Sequence, residues 1–324
     1  MDPALGLNGL LLCRGGPDRA AHRRDEPGLV ARLLRDPATR VLALRADRVL
    51  VARPTDPGDG SVGLVFRAPS TADTGLLTVF LGQGPSDAGG QAAYLGVVEA
   101  PTEGDPEAGW QNLRAVGALL SDLDASLVVT LLAVANWHRG HTHCSRCGAP
   151  TEPGAAGWVR RCTRDGSEHF PRTDPSVIMS VVDDDGRLLL GRGVTWPDNQ
   201  YSVLAGFVEP GESLEAAVAR EVLEESGIVV TDVGYLGSQP WPFPSSLMLG
   251  FTARAVTTTI THDPTELAEV RWVTRQEYVE MLQSGAIRVP GSISIARRLI
   301  ERWLGADVQA AAGRPVIEGW RPTA

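Results

Sequence analysis

Apolar residues in the first hundred positions fall into short runs, Val41–Leu44, Val49–Ala52, Val62–Phe66, Leu76–Leu81 and Ala93–Val98, parted by Gly, Pro and Asp. Runs of that length bounded by turn formers predict β-strands, so the chain opens with a β-rich domain. Pro101–Gly109 reads as a loop. From Leu113 to Trp137 the apolar content stays high over a length that suits one or two packed helices.

In the second half, Ser176–Val182 and Arg187–Gly191 flank Asp183-Asp184-Asp185-Gly186, the pattern of a hairpin. Tyr201–Ala205, Val229–Tyr235, Leu247–Ala255 and Arg271–Val273 predict further strands, and Gln276–Gln283 and Ile293–Trp303 predict helices. Between them Gly206–Ile228 reads GFVEPGESLEAAVAREVLEESGI. Its end switches to helical period: Val218, Ala219, Val222 and Leu223 supply an apolar stripe, and Gly227 fits a helix C-cap. A mixed sheet covered by this helix on one face and a later helix on the other gives an α/β (α+β) class, an α/β/α sandwich.

The 324 residues are 43% hydrophobic with a net charge of −9, enough for two domains and a smaller module. No apolar run approaches the ~20 residues of a membrane span. The N-terminus lacks a secretory pattern, because Arg14 and Arg19 follow the apolar Leu5–Leu12 rather than precede it. The expectation is a soluble cytoplasmic protein. All 30 basic residues are arginine. The acidic balance argues against sequence-independent binding of nucleic acid, which needs many neutralised phosphates. Arg160, Arg161, Arg164 and Arg172 form a local basic cluster, either a solvated surface or a phosphate contact.

Cys144-Ser-Arg-Cys147 is a C-x2-C knuckle, followed by Cys162 at the separation expected between the halves of a zinc ribbon. A second knuckle would place cysteine at 165, where Asp165 stands. A carboxylate can ligate zinc, so Cys144, Cys147, Cys162 and Asp165 form a candidate tetrahedral set, with His169, His143 or His141 as substitutes for the fourth ligand. The alternative is a degenerate ribbon held by packing alone. Cys13 reads as a spare thiol.

Glu221, Glu224 and Glu225 stand at i, i+3 and i+4, so a helix brings them to one face. Three carboxylates there repel unless a cation sits among them, and hard oxygen ligands suit magnesium or manganese. Downstream, Ser238-Gln-Pro-Trp-Pro-Phe-Pro-Ser-Ser246 puts three prolines on alternate positions. They deny the backbone ladder hydrogen bonds, so the stretch predicts a rigid loop displaying Trp241 and Phe243. The rings either pack in a core or form a slot for a planar ring.

The segment from Gly206 to Ile228 resembles the Nudix signature G-x5-E-x7-R-E-U-x-E-E-x-G-U, U being aliphatic, at every defined position. The proline-rich string resembles the SQPWPFPxS element of the NADH pyrophosphatase branch of that superfamily. The likeness runs over roughly residues 110–300, through Asn112-Leu113-Arg114, the ribbon, His169-Phe170-Pro171-Arg172, Asp174-Pro175 and Ala296-Arg297-Arg298-Leu299-Ile300. It implies an N-terminal domain at 1–139, a zinc ribbon at 140–173, a Nudix domain at 174–305 and a flexible tail at 306–324.

The resemblance further implies magnesium or manganese ligation by Glu221, Glu225, Glu266 and the carbonyl of Ala205, with Glu224 or Glu225 as proton acceptor. It implies substrate contacts from Arg114, Phe170, Gln239, Pro240, Trp241, Pro242, Phe243, Pro244, Ser245, Ser246 and Ala296. Phe207 either joins them or packs in the core, and Arg220 orients the glutamates. The implied reaction is hydrolysis of the pyrophosphate bond of NADH or NAD+ to nicotinamide mononucleotide and AMP, with removal of NAD caps from RNA as a further activity. A homodimer is the implied assembly. Two alternatives stay open: a Nudix hydrolase for ADP-ribose or a diadenosine polyphosphate, and a non-catalytic nucleotide-binding regulator.

Overall fold

A computed structural model describes residues 6–7, 9–52, 62–86, 89–101, 109–316 and 318. Most of the expected loop at 101–109 and the last residues of the expected tail lie outside them. Contacts group the chain into two units. One holds Asp174–Gln239, the chain from Ser246 onward and, at the start, the described residues up to Leu10; the other holds Leu11–Thr173 and Pro240–Ser245.

The unit of Leu11–Thr173 carries α1 (Leu29–Leu33), β1 (Arg40–Arg45), β2 (Arg48–Ala52), β3 (Gly63–Leu64), β4 (Leu77–Pro85), β5 (Gln91–Glu99), β6 (Trp110–Asn112), α2 (Leu113–Val116) and α3 (Asp122–Gly140). Its strands form a six-stranded sheet of order β3-β2-β1-β5-β4, with β6 beside β2. The β1–β5 pair is parallel and the hairpin β4–β5 antiparallel. Helix α3 starts where the Ser121 hydroxyl accepts the Asp124 N–H, and buries Leu127, Val128, Leu131, Leu132 and Ala135. It approaches the sheet closely: a Cβ on Gly96 would lie 2.3 Å from Leu131 Cδ1.

A small three-stranded sheet follows, β7 (Thr151–Gly154), β8 (Val159–Cys162) and β9 (Glu168–His169). Of the expected basic cluster, Arg160 leaves the surface. Arg160 is buried and donates to Thr151 Oγ1 at 2.7 Å, to Thr151 O at 2.6 Å and to His138 Nδ1 at 2.9 Å. Since arginine only donates, His138 Nδ1 accepts, and its Nε2–H donates to Gly157 O at 2.8 Å. Arg161 pairs with Glu168 at 2.9 Å and Arg164 reaches Cys147 O at 3.2 Å. Arg161 and Arg164 make these contacts from the exposed side of the ribbon.

The other unit carries β10 (Asp174–Val182), β11 (Leu188–Gly193), β12 (Leu204–Phe207), α4 (Leu214–Ser226), β13 (Val230–Trp241), β14 (Ser246–Ala255), β15 (Leu267–Val273), α5 (Arg275–Ser284), α6 (Ile295–Leu304) and α7 (Val308–Ala312). Its six-stranded mixed sheet runs β13-β14-β10-β11-β15, with β12 beside β10 and β10–β14 parallel. Alternation along β10 sorts the core into two layers. Val177, Met179 and Val181 pack with Ala217, Val218 and Val222 of α4. Ile178 packs with Ile295, Ala296, Leu299 and Ile300 of α6. The unit is the expected α/β/α sandwich.

Four expectations need correction. Residues 306–316 were expected as a flexible tail, but Asp307 caps α7 by accepting from Gln309 N and Ala310 N, and Val308 and Ala312 are buried. Alanine is the best helix former, so an Ala-rich stretch with a cap folds once it has a core to cover. The proline stretch is not wholly loop: β13 continues through Pro240 and Trp241, and a turn at 242–245 leads into β14. Strand β13 stands at the sheet's edge in the strand order, where proline is tolerated. Leu223 is 51% exposed, so the buried stripe of α4 is Ala217, Val218, Val222 and Ser226. Finally, Leu7 and Leu10 pack with the sandwich rather than with the N-terminal domain, Leu7 N donating to Leu236 O at 2.9 Å. Among the described residues no helix is long and apolar enough to cross a membrane.

Candidate active site and zinc-ribbon centre

Helix α4 positions the carboxylates. Ser213 caps its start by accepting from Ala216 N, and Gly227 ends it in the left-handed region at φ 72°, with its N–H on Leu223 O. Burial of Val218 and Val222 turns Glu221 and Glu225 to the neighbouring face, half-buried, while Glu224 is exposed. Arg220 orders the group from within the same helix. It donates to Glu212 at 2.6 Å, Glu221 at 3.0 Å, Glu224 at 2.9 Å and the carbonyl of Phe207 at 2.9 Å. Glu212, given no role above, anchors Arg220 and accepts from Glu209 N at 2.7 Å; its fixed place in the Gly206–Ile228 segment was the signal.

Gly206 is required by close approach. A Cβ there would lie 1.8 Å from Glu221 Cδ and 2.1 Å from each of its oxygens, so β12 leaves room for a carboxylate where any side chain would stand. Ser176 Oγ donates to Gly206 O at 2.9 Å and fixes that strand. Ala205 lies in β12 opposite Ile178 of β10, one residue before the carboxylate's seat.

Electrostatics single out Glu225. Burial first, then the charges of Glu221, Glu266 and Glu224, pushes its carboxyl up to about 8. Its Oε2 is buried and has no hydrogen-bond partner among the described residues. Burial also raises Glu221, outweighing its Arg220 contact. Arg220 serves Glu212, Glu221 and Glu224, and among the described residues Glu225 has no cationic partner. An orphaned oxygen among four carboxylates fits a divalent cation with oxygen ligands. Glu266, which follows Asp263-Pro264-Thr265 in a turn, is brought near enough for its charge to act on Glu225.

The cysteine set also assembles. Ligand atoms of Cys144, Cys147, Cys162 and Asp165 all lie within 4.8 Å of one another. Cys147 Sγ is 3.5 Å from Cys162 Sγ, and Cys144 Sγ is 4.0 Å from Asp165 Oδ2. Zinc with bonds of ~2.0–2.3 Å requires neighbouring ligand atoms roughly 3–4 Å apart, so the set fits it. Backbone N–H groups of Arg146, Arg164 and Asp165 point at the sulfurs at 3.4, 3.4 and 3.5 Å. Contact with the Ser167 hydroxyl, then the N–H groups of Arg146 and Cys147, hold the Cys144 thiol down at about 6. The Ser167 hydroxyl and N–H hold Asp165 well below the usual carboxylate range. His141 is instead bonded to Trp137 O and His143 to Thr142, while His169 lies 3.4 Å from the Ser167 hydroxyl.

Other expected substrate residues are spread. Phe170 is 66% and Phe207 61% exposed, so Phe207 is not a core residue. Trp241 and Phe243 meet edge-on, centroids 4.9 Å apart at 72°, with the Arg114 guanidinium 5.0 and 3.7 Å from their centroids. The rings make an arginine-capped corner rather than a parallel slot, and burial pushes Arg114 down to about 10. Gln239 is fully buried and its amide donates to Ile293 O at 2.8 Å. Ala296 lies in the core with its N–H on the Ser294 hydroxyl. Pro242 is buried, Pro244 exposed, and Pro240, Ser245 and Ser246 half-buried.

Two family models match the chain, the NUDIX domain over residues 172–290 and the NADH pyrophosphatase zinc ribbon domain over residues 139–170. The chain is 39% identical over 309 residues to the NAD-capped RNA hydrolase NudC of Mycobacterium bovis (strain BCG / Pasteur 1173P2), covering 92% of this chain and 95% of the relative. The chain belongs to the NADH pyrophosphatase branch of the Nudix hydrolases. The NudC of Mycobacterium tuberculosis (strain ATCC 25177 / H37Ra) is 38% identical over 309 residues, 92% of this chain and 95% of the relative. The human NAD-capped RNA hydrolase NUDT12 is 41% identical over 197 residues, 57% of this chain and 43% of that protein. As a Nudix hydrolase the chain is an enzyme, and α4 carries its signature carboxylates.

Proposed function

We propose that this Nudix hydrolase cleaves the pyrophosphate bond of NADH or NAD+ to the nicotinamide mononucleotide and AMP, and removes NAD caps from RNA 5′ ends. The observation that carries the reading is the half-buried Glu225, orphaned among Glu221, Glu224 and Glu266 and pushed up to about 8. The names of the mycobacterial and human relatives support the substrate class.

Glu221, Glu225, Glu266 and the carbonyl of Ala205 are the proposed holders of magnesium or manganese, which supplies charge neutralisation at the pyrophosphate and a more acidic water. Glu224 or Glu225 takes the proton from the attacking water. Arg220 does no bond-making and holds Glu221 and Glu224 in place. Gly206 keeps Glu221 seated against β12. Phe170 and Phe207, both exposed, are the proposed stacking partners of the substrate's planar rings, with Arg114, Gln239 to Ser246 and Ala296 shaping the dinucleotide site. Cys144, Cys147, Cys162 and Asp165 are the proposed zinc ligands. The family resemblance supports a homodimer. A cytoplasmic setting suits cysteines that are all unbridged.

The test is product analysis of NADH, NAD+, ADP-ribose and NAD-capped RNA with magnesium and with manganese, beside a Glu225→Gln control. Nicotinamide mononucleotide and AMP are expected from NADH and NAD+. An ADP-ribose rate far above the NADH rate refutes the substrate assignment, and an RNA rate equal to the control refutes decapping.

A further inference from the structure

Between Leu127 and Trp137 helix α3 is almost entirely apolar, and Asn136 interrupts it. Asparagine is a poor helix former, so its place there calls for a contact that compensates. Its Nδ2 donates to Pro242 O at 3.1 Å and to Pro244 O at 3.2 Å. Two acceptor-only partners fix which end of the amide faces the turn. The carbonyls belong to the turn at 242–245 that follows Trp241 and carries Phe243.

Three prolines in this stretch carry no N–H, so the turn cannot close itself with a full set of backbone bonds. An amide borrowed from α3 satisfies two of its carbonyls. Arg114 of α2 meets the same turn on its aromatic side, 3.7 Å from the Phe243 centroid. We infer that Asn136 is a positioning residue for dinucleotide recognition: its amide holds the Pro242–Pro244 turn so that Trp241, Phe243 and Arg114 keep one arrangement toward the substrate. The inference rests on the proposed NADH reading.

The experiment compares wild type with Asn136→Leu, Asn136→Asp and Asn136→Gln in NADH hydrolysis, with zinc content and thermal midpoint measured on each full-length protein. Leucine removes both donors, aspartate turns an anion toward two carbonyls, and glutamine keeps the donor group on a longer arm. Loss of two modest hydrogen bonds corresponds to about a tenfold rise in KM. That rise is expected for the leucine and aspartate variants, with kcat within about twofold of wild type and partial recovery of KM with glutamine. A purely structural role would lower the midpoint and kcat per chain while leaving KM alone, and that outcome overturns the inference. An active wild type whose KM is matched by all three variants overturns it too, leaving the functional reading intact. A wild type without NADH turnover overturns both.

Discussion

Glu225→Gln should make the metal-free enzyme more stable at neutral pH while removing its activity. The Glu225 carboxyl sits at about 8 in the fold against an ordinary 4.5. Between those values the folded chain holds a proton that the unfolded chain has released, so stability falls as pH rises through the window. Each pH unit is worth ~1.4 kcal/mol, which amounts to roughly 3 kcal/mol at pH 7 and about 2 kcal/mol once water reaching a half-buried group is allowed for. Glutamine keeps the shape and cannot ionise. Without divalent metal at pH 7, Glu225→Gln should therefore melt ~4–8 °C above wild type. The gap should close toward pH 4.5, where both side chains are neutral, and saturating magnesium or manganese should stabilise wild type more than the variant. Thermal unfolding from pH 4.5 to 8, with chelator and with metal, measures all three. A wild-type-minus-variant difference that does not change with pH would refute the idea that burial and three neighbouring carboxylates strain this group.

Gly206→Ala should lose about a hundredfold or more in kcat, because the new Cβ would lie 1.8 Å from Glu221 Cδ and force the carboxylate to shift by about an ångström; steady-state NADH kinetics with a melting control test it. Asp165→Cys should release zinc to a chelator more slowly than wild type, since thiolate completes an all-sulfur set, and Asp165→Ala faster; equal release rates in a colorimetric zinc assay would remove Asp165 from the ligand set. Phe170→Ala should raise KM by roughly tenfold, the low end of ~1–3 kcal/mol per stacked base, with an unchanged midpoint because the ring is 66% exposed. His138→Ala should cost about 2–3 kcal/mol of stability in urea unfolding, because it strips one acceptor from the buried Arg160 guanidinium.

What could be read from the residues was whatever repeats with local period or fixed spacing. The α4 carboxylates sit three and four apart, and the strands of both sheets alternate or cluster, so the sandwich and the shared face of the carboxylates were legible. Glu266 came only through family likeness, since no local pattern links a turn residue to a helix forty positions earlier. Arg160 resembled a surface charge because its partner His138 is brought to it by the packing of α3 on the ribbon, while Thr151 reaches it from the neighbouring strand β7. Leu223 counted as apolar but lies on the wrong arc of α4. The corner of Trp241, Phe243 and Arg114 depends on tertiary contacts that spacing does not encode. Helix α7 was lost because its alanines were weighed as tail composition rather than as helix propensity.

Helix α3 touches three parties along its length: Asp124 accepts the β3 amide of Leu64 at 3.3 Å, Asn136 holds the proline turn and His138 meets the ribbon through Arg160. Two ligands that each bias one element between the same states share a coupling free energy, and coupling is reciprocal. A ribbon that steadies α3 when loaded with zinc would tighten dinucleotide binding, and dinucleotide would by the same factor slow the escape of zinc. On that coupling the ribbon would be more than a staple: a zinc-loaded ribbon would act on substrate affinity as well as on the local fold.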